Sequence, residues 1–281
     1  MNPAHPTVAV QGIAGSFHEI AAHEYFGPDI DTIECLSFKQ VCDTLKRGDA
    51  DYCVMAIENT IAGSLLPNYT LLLDYHFKII GEVYLPIHMH LLVNPGVKLE
   101  DVRWIQSHPI AIQQCMQFIW TLEDVEIHEM ADTAIAAKDL HESGMKDTAA
   151  IANDASAQRY ELDILRRDIE TKDKNFTRFL VLSNWMIQRE EHNKASLSLV
   201  LDHHPGSLAD VLDIFREHRI NLSQIRSLPV LDNPMEIMLQ LDIEFARKED
   251  YERAISQTLK IAAGLNILGE YESAVRPVIG A

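Results

Sequence analysis

The stretches VMAIENT (residues 54–60) and NFTRFLVL (residues 175–182) decide the fold of this chain. In each, an apolar, strand-like run meets a polar segment: Val54 to Ile57 leads into Glu58-Asn59-Thr60, and Thr177-Arg178 opens the run from Phe179 to Leu182. Strand ends are where an α/β protein presents polar groups to a ligand. Together the two stretches offer a carboxylate, two amides, two hydroxyls and a guanidinium. That set suits recognition of a small, oxygen-rich anion.

Strand-like and helix-like segments alternate outward from these two stretches. The predicted strands are 7–11, 51–57, 78–93 with an interruption at Pro86, 102–106, 125–128, 148–152, 163–173 and 179–182. The predicted helices are 17–26, 37–47, 67–75, a helix from Ser107 as N-cap to about 120, and 132–142. This alternation indicates an α/β fold with mostly parallel sheet. Its length suggests two lobes, with crossings near Lys78–Val93 and Ile164–Leu182 and a ligand cleft between the lobes.

A wholly polar stretch at residues 188–194 predicts a linker, and a different pattern follows it. The predicted strands there are 195–201, 220–230, 235–245 and 266–271, the predicted helices are 205–218 and 248–262, and a turn is expected at 231–234. The order β, α, β, β, α, β is typical of a ferredoxin-like domain.

Composition excludes several classes of protein. The chain has 281 residues, 47% of them hydrophobic, and a formal net charge of −18, which argues against nucleic acid or an anionic membrane as partner. We find no apolar run of about 18–20 residues and no secretory signal at the N-terminus. The four cysteines, Cys35, Cys42, Cys53 and Cys115, form no CxxC pair. We expect reduced, mostly buried thiols and a cytoplasmic protein.

Six short motifs then point to one family. They are Gly12-Ile13-Ala14-Gly15-Ser16-Phe17, Ile57-Glu58-Asn59-Thr60 with Gly63-Ser64, Ser107-His108-Pro109 with Gln114-Cys115, Asp132-Thr133-Ala134, Ala149-Ala150-Ile151-Ala152, and Thr177-Arg178-Phe179. In these motifs the chain resembles the prephenate dehydratases over nearly its full length, and from Lys194 onward it resembles a regulatory ACT domain.

The resemblance implies a two-lobed, periplasmic-binding-protein-like catalytic domain over residues 1–187 and a ferredoxin-like ACT domain over residues 194–281. It implies a monofunctional lyase that converts prephenate to phenylpyruvate, with loss of carbon dioxide and water, in phenylalanine biosynthesis. Two alternatives stay open: an arogenate dehydratase, and a non-catalytic small-molecule sensor of the same fold.

The resemblance assigns catalytic roles to Thr177, Arg178, Phe179 and Glu58. The planar fork of Arg178 suits a carboxylate clamp, and the hydroxyl of Thr177 can polarise the departing hydroxyl group by a hydrogen bond. Glu58 would repel a dianion unless protonated or paired, so it either braces its loop or acts as an acid.

A second set of residues is expected to bind substrate: Ser16, Asn59, Thr60, Gly63, Ser107, His108 and Thr133. Ser16 and Ser107 would supply hydroxyls or helix amides, and His108 either shuttles a proton or braces a loop.

The ACT resemblance implies L-phenylalanine as effector and a homodimer or homotetramer, since ACT sheets commonly pair at an exposed edge. The expected effector residues are Gly206, Ser207, Leu208, Asn221, Leu222 and Ser227. Two segments depart from the family: GSLA at residues 206–209 stands where the family reads GALV, and RSLP at 226–229 stands where it reads ESRP.

No cofactor or metal is expected. His88-Met89-His90 and His203-His204 are the two histidine-rich segments, and neither has a carboxylate or thiolate nearby in the sequence at metal spacing.

Overall fold

The structure, a computed structural model, describes residues 5–172, 174–187, 190–202, 204–230 and 233–277; for 229, 230 and 233–237 it describes the backbone only. The chain divides into two units. The first takes the chain up to His76 and then Val83–Val181, and the second takes Phe77–Glu82 and Leu182–Val275.

The first unit is built on two sheets. Its strands are β1 Thr7–Gln11, β2 Asp31–Cys35, β3 Tyr52–Asn59, β4 Gly63–Ser64, β5 Lys78–Pro86, β6 His90–Val93, β7 Trp104–Ser107, β8 Glu126–Glu129, β9 Thr148–Ala152, β10 Asp163–Arg166 and β11 Phe176–Ser183. Its helices are α1 Phe17–Phe26, α2 Phe38–Arg47, α3 Leu66–Asp74, α4 Pro109–Gln114, α5 Met116–Ile119, α6 Thr133–Ser143 and α7 Asp154–Arg159. One sheet has the order β2-β1-β3-β11-β5 with β4 beside β3, and the other has the order β10-β6-β9-β7-β8. The start of β5, up to Glu82, and the end of β11, from Leu182, are counted with the second unit.

The middle strand of each sheet is buried along nearly its whole length. β3 and β9 consist almost entirely of buried residues, as expected for strands covered on both faces. Polar capping side chains set the helix starts: Ser16, Ser37, Asp132 and Asn153 each accept a backbone N–H of the turn that follows.

The prediction of mostly parallel sheet needs correction, because the pairing is mixed. β1 is parallel to β2 and β3, and β7 is parallel to β8 and β9. β6 is antiparallel to both β9 and β10. β6 is the first strand after the chain enters the second sheet and β10 is the last before it leaves, so neither belongs to the regular βαβ series.

Ser107 was also wrongly predicted as the N-cap of α4. The cap is His108, whose Nδ1 accepts the N–H of Ile110. Ser107 is buried at the end of β7, where its hydroxyl donates to the carbonyl of Ile151. The short helix α7 was not predicted, and β10 ends at Arg166 rather than extending to Asp173, which lies outside the described residues.

The chain passes between the two sheets twice, at residues 87–89 and, among the described residues of the second crossing, at 167–172 and 174–175. These two crossings lie side by side. The N–H of Ile87 donates to the carbonyl of Asn175 at 2.8 Å, and the N–H of Ile169 donates to that of Met89 at 2.9 Å. The first unit therefore has two lobes joined by a pair of hydrogen-bonded segments.

The second unit has the predicted β, α, β, β, α, β order. Its elements are β12 Lys194–Val200, α8 Ser207–Glu217, β13 Asn221–Val230, β14 Asn233–Glu244, α9 Lys248–Ile261 and β15 Gly264–Tyr271. Its antiparallel sheet has the order β13-β14-β12-β15, the ferredoxin-like arrangement. Apolar side chains of the sheet pack against both helices, as Leu197 and Ile243 do with Phe215 and Tyr251. Of the expected turn, Leu231 and Asp232 lie outside the described residues.

A buried ion pair fastens the segment Phe77–Glu82 within this unit. Lys194 and Glu82 have side chains that are 0% exposed, and Nζ lies 2.8 Å from Oε1 and 3.0 Å from Oε2. Glu244 Oε1 lies 3.5 Å from the same Nζ, and the N–H of Ala274 donates to Glu82 Oε1. Each charge is thus held by several partners, as burial demands.

Two expectations from composition can be checked. All four cysteines are buried free thiols, as predicted. Among the helices of the described ranges, none has both the length and the apolar character required to cross a bilayer.

Replacing Glu82 by Gln is expected to destabilise the second unit by about 3 kcal/mol. The substitution leaves a buried ammonium short of its carboxylate, and the loss falls at the low end of the usual range because Glu244 remains. The matched control is Glu142→Gln, which breaks the exposed pair with Lys138 at 3.8 Å and should cost less than about 0.5 kcal/mol. Urea unfolding of both variants gives the measurement. An equal loss in the free energy of unfolding of both variants would show that the buried ion pair contributes no more to stability than the exposed pair.

Candidate active site

A cavity of about 280 Å³ lies between the two lobes of the first unit. Strands of the first sheet and the first turns of α4 and α6 in the second lobe contribute to its wall, and most of that wall is apolar. The lining residues are Gln11, Phe17, His18, Phe38, Ala56, Asn59, Ala62, Leu65, Ile87, Met89, His108, Ile110, Ala111, Gln114, Asp132, Thr133, Thr177 and Phe179. A mainly apolar cleft with a few convergent polar groups is the usual form of a small-molecule site.

Helix N-termini, and no basic side chains among the described residues, reach the wall of this cavity. Among the described residues, its lining contains no lysine or arginine. The first turns of α1 and α6 reach it from opposite lobes, through Phe17 and His18 on α1 and through Thr133 on α6. The N-terminus of a helix carries partial positive charge and favours an anion. At α6, the carboxyl group of Asp132 already accepts the N–H groups of Ala134 and Ile135.

The amide of Asn59 organises the polar side of the cavity. Its Nδ2 donates to Asn175 Oδ1 at 2.8 Å and to Thr177 Oγ1 at 3.0 Å, and it lies 3.3 Å from the carbonyl of Phe176. Its Oδ1 accepts the N–H groups of Ile61 and Ala62. One amide therefore fixes the end of β3, the turn after it and the start of β11.

Gln114 extends this network to the other lobe. Asn175 Nδ2 donates to Gln114 Oε1 at 2.8 Å, and Gln114 Nε2 lies 3.4 Å from Asn59 Oδ1. Since Gln114 ends α4 in the second lobe, the network joins both lobes beneath the cavity.

Thr177 presents its hydroxyl to the cavity with a defined polarity. Oγ1 accepts from Asn59 Nδ2, so its own proton is directed elsewhere and can be donated to a ligand. An accepted hydrogen bond also strengthens a hydroxyl as donor.

His18 forms part of the aromatic wall and is uncharged. Burial lowers its pKa from 6.5 to about 3. Its Nε2 accepts the N–H of Ala56, which places the ring proton on Nδ1. The imidazole packs edge-on against Phe38 and Phe179, with centroid distances of 5.3 and 5.0 Å.

Asp132 is the acidic group of the cavity. Burial raises the pKa of its carboxyl group above the usual range. The hydrogen bonds that Oδ1 accepts from the N–H groups of Ala134 and Ile135, and the nearby His108, lower that pKa and offset part of the effect. Burial also lowers the pKa of His108, opposed by Asp132 and Glu129. Because His108 Nδ1 is an acceptor, its proton is on Nε2. The site thus holds a carboxyl group whose pKa is raised by burial and a neutral imidazole whose Nδ1 is an acceptor.

The glycine loop 12–15 brings the lobes together near Asp132. A methyl group on Gly12, where φ is +99°, would lie 3.1 Å from Asp132 Oδ2 and 2.9 Å from Ser16 Cβ. From the second lobe, Asn153 Nδ2 and Ser156 Oγ donate to the carbonyl of Gly15 at 3.0 and 3.1 Å. The backbone of Gly15 holds the loop against α7, and Ser16 and Asp132 leave no room for a side chain at Gly12.

Several residues expected in the site lie elsewhere. Arg178 is buried but does not line the cavity, because it points to the face of β11 opposite to Thr177 and Phe179. Its expected role as a clamp therefore has no geometric support in this structure. Glu58 and Thr60 are also outside the lining; Thr60 Oγ1 instead bonds the backbone of Lys174 and Phe176.

Ser16, Ser107 and Gly63 support the site and do not line it. The hydroxyl of Ser16 caps α1 by accepting the N–H of Glu19. The hydroxyl of Ser107 donates to the carbonyl of Ile151. Gly63 is exposed in β4, beside Asn59. Among the expected residues, the cavity lining includes Asn59, His108, Thr133, Thr177 and Phe179.

The expected effector residues fall into two groups at opposite ends of the second unit's sheet. Gly206, with φ +95°, precedes α8 near the end of β12, together with Ser207 and Leu208. Asn221 pairs with Glu244, which pairs with Lys194 at the start of β12. Leu222 packs toward the core beside it. Ser227 is exposed and pairs with Leu239, which also pairs with Leu199, so it lies toward the Gly206 end of the sheet. One chain does not bring Gly206 and Asn221 together.

His88 does have carboxylate partners, contrary to the sequence argument. Asp168 Oδ1 lies 3.1 Å and Glu170 Oε1 3.3 Å from His88 Nδ1. The partners were missed because they come from the other crossing, about eighty residues away in sequence. His204 is described, but His203 lies outside the described residues.

Four residues that line the cavity or bond to its lining were not predicted as site residues: His18, Gln114, Asp132 and Asn175. Gln114 and Asp132 stand inside the quoted motifs, and Asn175 precedes the TRF motif, so a signal was present. His18 had none, because only the fold places the second residue of α1 against β3.

The fold and the cavity define a two-lobed α/β protein with a small-molecule cleft between its lobes. The family model of prephenate dehydratase matches residues 8–186. The chain belongs to the prephenate dehydratase family.

Two relatives cover nearly the whole chain. The bifunctional chorismate mutase/prephenate dehydratase of Enterobacter agglomerans is 32% identical over 95% of this chain and 70% of its own length. The chloroplastic arogenate dehydratase/prephenate dehydratase 1 of Arabidopsis thaliana is 35% identical over 94% of this chain and 71% of its own.

Two solved structures are similar throughout. Prephenate dehydratase from Arthrobacter aurescens in complex with L-Phe has a TM-score of 0.81 at 27% identity, covering 95% of this chain and 90% of that one. GqqA, described as a novel type of quorum quenching acylase, has a TM-score of 0.85 at 27% identity, covering 95% and 98%.

Stability is expected to fall as the pH falls below 6.5, in a way that depends on His18. The unfolded imidazole takes up a proton near pH 6.5 while the folded one stays neutral until about pH 3. The cost at pH 5.5 relative to neutral pH is therefore about 1.4 kcal/mol. Urea unfolding of the wild type and of His18→Gln at pH 7.5 and 5.5 measures it, with His141→Gln on the exposed face of α6 as control. An unchanged pH slope in His18→Gln would contradict the assignment.

Proposed function

We propose that this protein converts prephenate to phenylpyruvate, carbon dioxide and water. The observation that supports it best is the Thr177 hydroxyl, which Asn59 orients toward a cavity lined from two lobes. The family match makes the reaction class a dehydration.

The substrate is a dianion, and two helix N-termini are available to receive its carboxylates. The first turns of α1 and α6 face the cavity from opposite lobes, so each lobe offers one binding point for a carboxylate. A substrate bridging the two would be held in a fixed orientation, with its ring against the wall formed by Phe38, Phe179 and the neutral His18.

The reaction needs one proton, since the ring hydroxyl leaves as water when the ring carboxylate leaves as carbon dioxide. Thr177 polarises the departing hydroxyl by donating a hydrogen bond. Asp132, whose pKa is raised by burial, is the source of the proton that is consumed. His108 Nε2–H provides a second donor beside it. Aromatisation of the ring supplies the driving force.

The second unit is proposed to be an ACT regulatory domain that extends over residues 194–281, with L-phenylalanine as effector. Support comes from its βαββαβ order and from the likeness to an enzyme solved with L-Phe. Because Gly206 and Asn221 are at opposite ends of one sheet, a pocket using both needs two copies of the chain. A homodimer or homotetramer follows from this proposal, and calorimetry with L-phenylalanine tests it independently of catalysis.

The acylase likeness favours no second function here. In the described part of the chain, the cavity lining has no serine or cysteine, and the hydroxyl of Thr177 is bonded by the amide of Asn59, which cannot activate it as a base. Arogenate remains the alternative substrate, with an amine in place of the side-chain keto group, and a sensor that binds without reaction remains the alternative of another class.

Incubation of the purified protein with prephenate and, separately, with arogenate decides between these functions. Phenylpyruvate from prephenate supports the proposal, phenylalanine from arogenate supports the alternative, and binding of either compound without product supports a sensor. Loss of neither compound, with no binding, would overturn all three.

Replacing Thr177 by Ala is expected to lower kcat about 100-fold with little change in KM, because its hydrogen bond strengthens as the hydroxyl departs. Thr177→Ser keeps the hydroxyl and should retain much of the activity. Steady-state production of phenylpyruvate gives both constants. A normal kcat in Thr177→Ala would remove this residue from the mechanism.

Replacing Asp132 by Asn is expected to lower kcat by about 10²–10⁴-fold, the usual contribution of a positioned acid. In the wild type, kcat should fall as the pH rises through the elevated pKa of Asp132, and this limb should disappear in the variant. Since Asn caps helices as well as Asp does, thermal unfolding should change little. The surface substitution Asp124→Asn is the control; a pH limb that persists in Asp132→Asn would refute the assignment.

A further inference from the structure

The two crossings between the lobes carry a cluster of three side chains that catalysis does not use. We call His88, Asp168 and Glu170 the crossing cluster. His88 comes from the first crossing and the two acids come from the second. The potential ligand atoms of all three lie within 4.8 Å of one another.

The two carboxylates converge on a single nitrogen. His88 Nδ1 lies 3.1 Å from Asp168 Oδ1 and 3.3 Å from Glu170 Oε1. An imidazole nitrogen carries at most one proton, so one N–H cannot make a full hydrogen bond to both oxygens. A cation with bonds of about 2.0–2.2 Å to nitrogen and oxygen places its ligand atoms roughly 3.0–3.5 Å apart, which matches these separations.

Glu170 adds a buried negative charge to the cluster. Its side chain is only 3% exposed. Oε2 accepts the N–H of Met89 at 3.0 Å, and Oε1 is the atom that faces His88. A buried carboxylate is stable when it is paired or binds a metal. His88 and Asp168, in contrast, are 52% and 62% exposed, so a cation and its water ligands can reach the site from solvent.

A second layer of contacts fixes Asp168. Its backbone N–H donates to His90 Nδ1 at 3.0 Å, which leaves the His90 proton on Nε2, 2.9 Å from Asp154 Oδ2. Arg167 Nη1 donates to the other oxygen of Asp154 at 2.7 Å. Such outer contacts orient the ligands of metal sites.

We propose that the crossing cluster binds one divalent transition cation of the Zn²⁺ and Mn²⁺ type, through His88 Nδ1 and one oxygen each of Asp168 and Glu170. A site with an imidazole ligand disfavours Mg²⁺ and Ca²⁺, since both of these cations prefer sites made only of oxygen ligands. Water completes the coordination shell. Because the three ligands come from both crossings, the bound cation ties the two segments that join the lobes.

The competing interpretation is a protonated His88 shared as an ion pair by both carboxylates, with no metal. The two interpretations differ in what a chelator-treated, untagged full-length chain does when cations are added. Titration calorimetry with ZnCl₂, MnCl₂ and MgCl₂ is the direct measurement. We expect one equivalent of Zn²⁺ or Mn²⁺ to bind at micromolar or lower concentration, and Mg²⁺ to bind far more weakly.

Three variants remove one ligand each: His88→Ala, Asp168→Asn and Glu170→Gln. Each should weaken binding by more than the roughly 10–100-fold that loss of an outer contact costs, and His90→Gln should fall within that range. The matched control His141→Ala, an exposed histidine of α6, should bind as the wild type does.

A second measurement keeps the test valid if a variant is destabilised. Circular dichroism confirms folding, and Zn²⁺ should raise Tm of the wild type but not of Asp168→Asn. The visible spectrum of the Co²⁺-loaded chain should show nitrogen and oxygen ligation that His88→Ala abolishes. Wild-type affinity only in the millimolar range, or equal affinity in the wild type and His88→Ala, would overturn the proposal and leave the proposed reaction untouched.

Discussion

The side-chain amide of Asn59 is the constraint on which the geometry of the cavity depends. A single planar group holds the turn after β3, the first residues of β11 and, through Asn175 and Gln114, the end of α4. Amide donors and acceptors cannot exchange places without breaking bonds on both sides, so the network has one arrangement. The direction in which Thr177 offers its proton is a consequence of that arrangement, and so is the joining of the two lobes beneath the ligand.

The cavity must receive an anionic substrate within a chain whose net charge is −18. In the proposed reaction the dianion is attracted by backbone dipoles of α1 and α6, which are fixed by the fold. Placing arginine or lysine there would bind the carboxylates more tightly, including the one that must leave. Under the proposed mechanism, weakly held carboxylates and a buried acid would favour departure of carbon dioxide and water over retention of substrate.

Much of the fold was predictable because local signals agree with it. The boundaries of β1, α1 and β9 follow directly from apolar runs, the glycine loop and the capping residues, and the ferredoxin-like order follows from periodicity alone. Sheet direction was less accessible, since the antiparallel strand β6 reads like any other buried strand. Its pairing is decided by where the chain crosses, which is a property of the whole first unit.

The motifs that form the candidate site could be predicted from the sequence, but the direction in which their side chains point could not. Thr177 and Arg178 are neighbours in one motif, yet a strand sends them to opposite faces, and the sequence does not say which face meets the ligand. The same limit applies to His88 and its acids, which a motif search treats as unrelated because eighty residues separate them. Contacts of this kind arise only when two distant segments run side by side.

The buried pair of Lys194 and Glu82 has a consequence for how this protein can be divided. The second unit is discontinuous in sequence, since Phe77–Glu82 belongs to it with Leu182–Val275. A fragment cut in the polar stretch before Lys194 would keep the ammonium group and lose the carboxylate that neutralises it. Gene fusion or domain exchange at that boundary would therefore yield a domain in whose core the ammonium group of Lys194 has lost this carboxylate. A transferred domain that also includes the six residues Phe77–Glu82 would keep the ion pair.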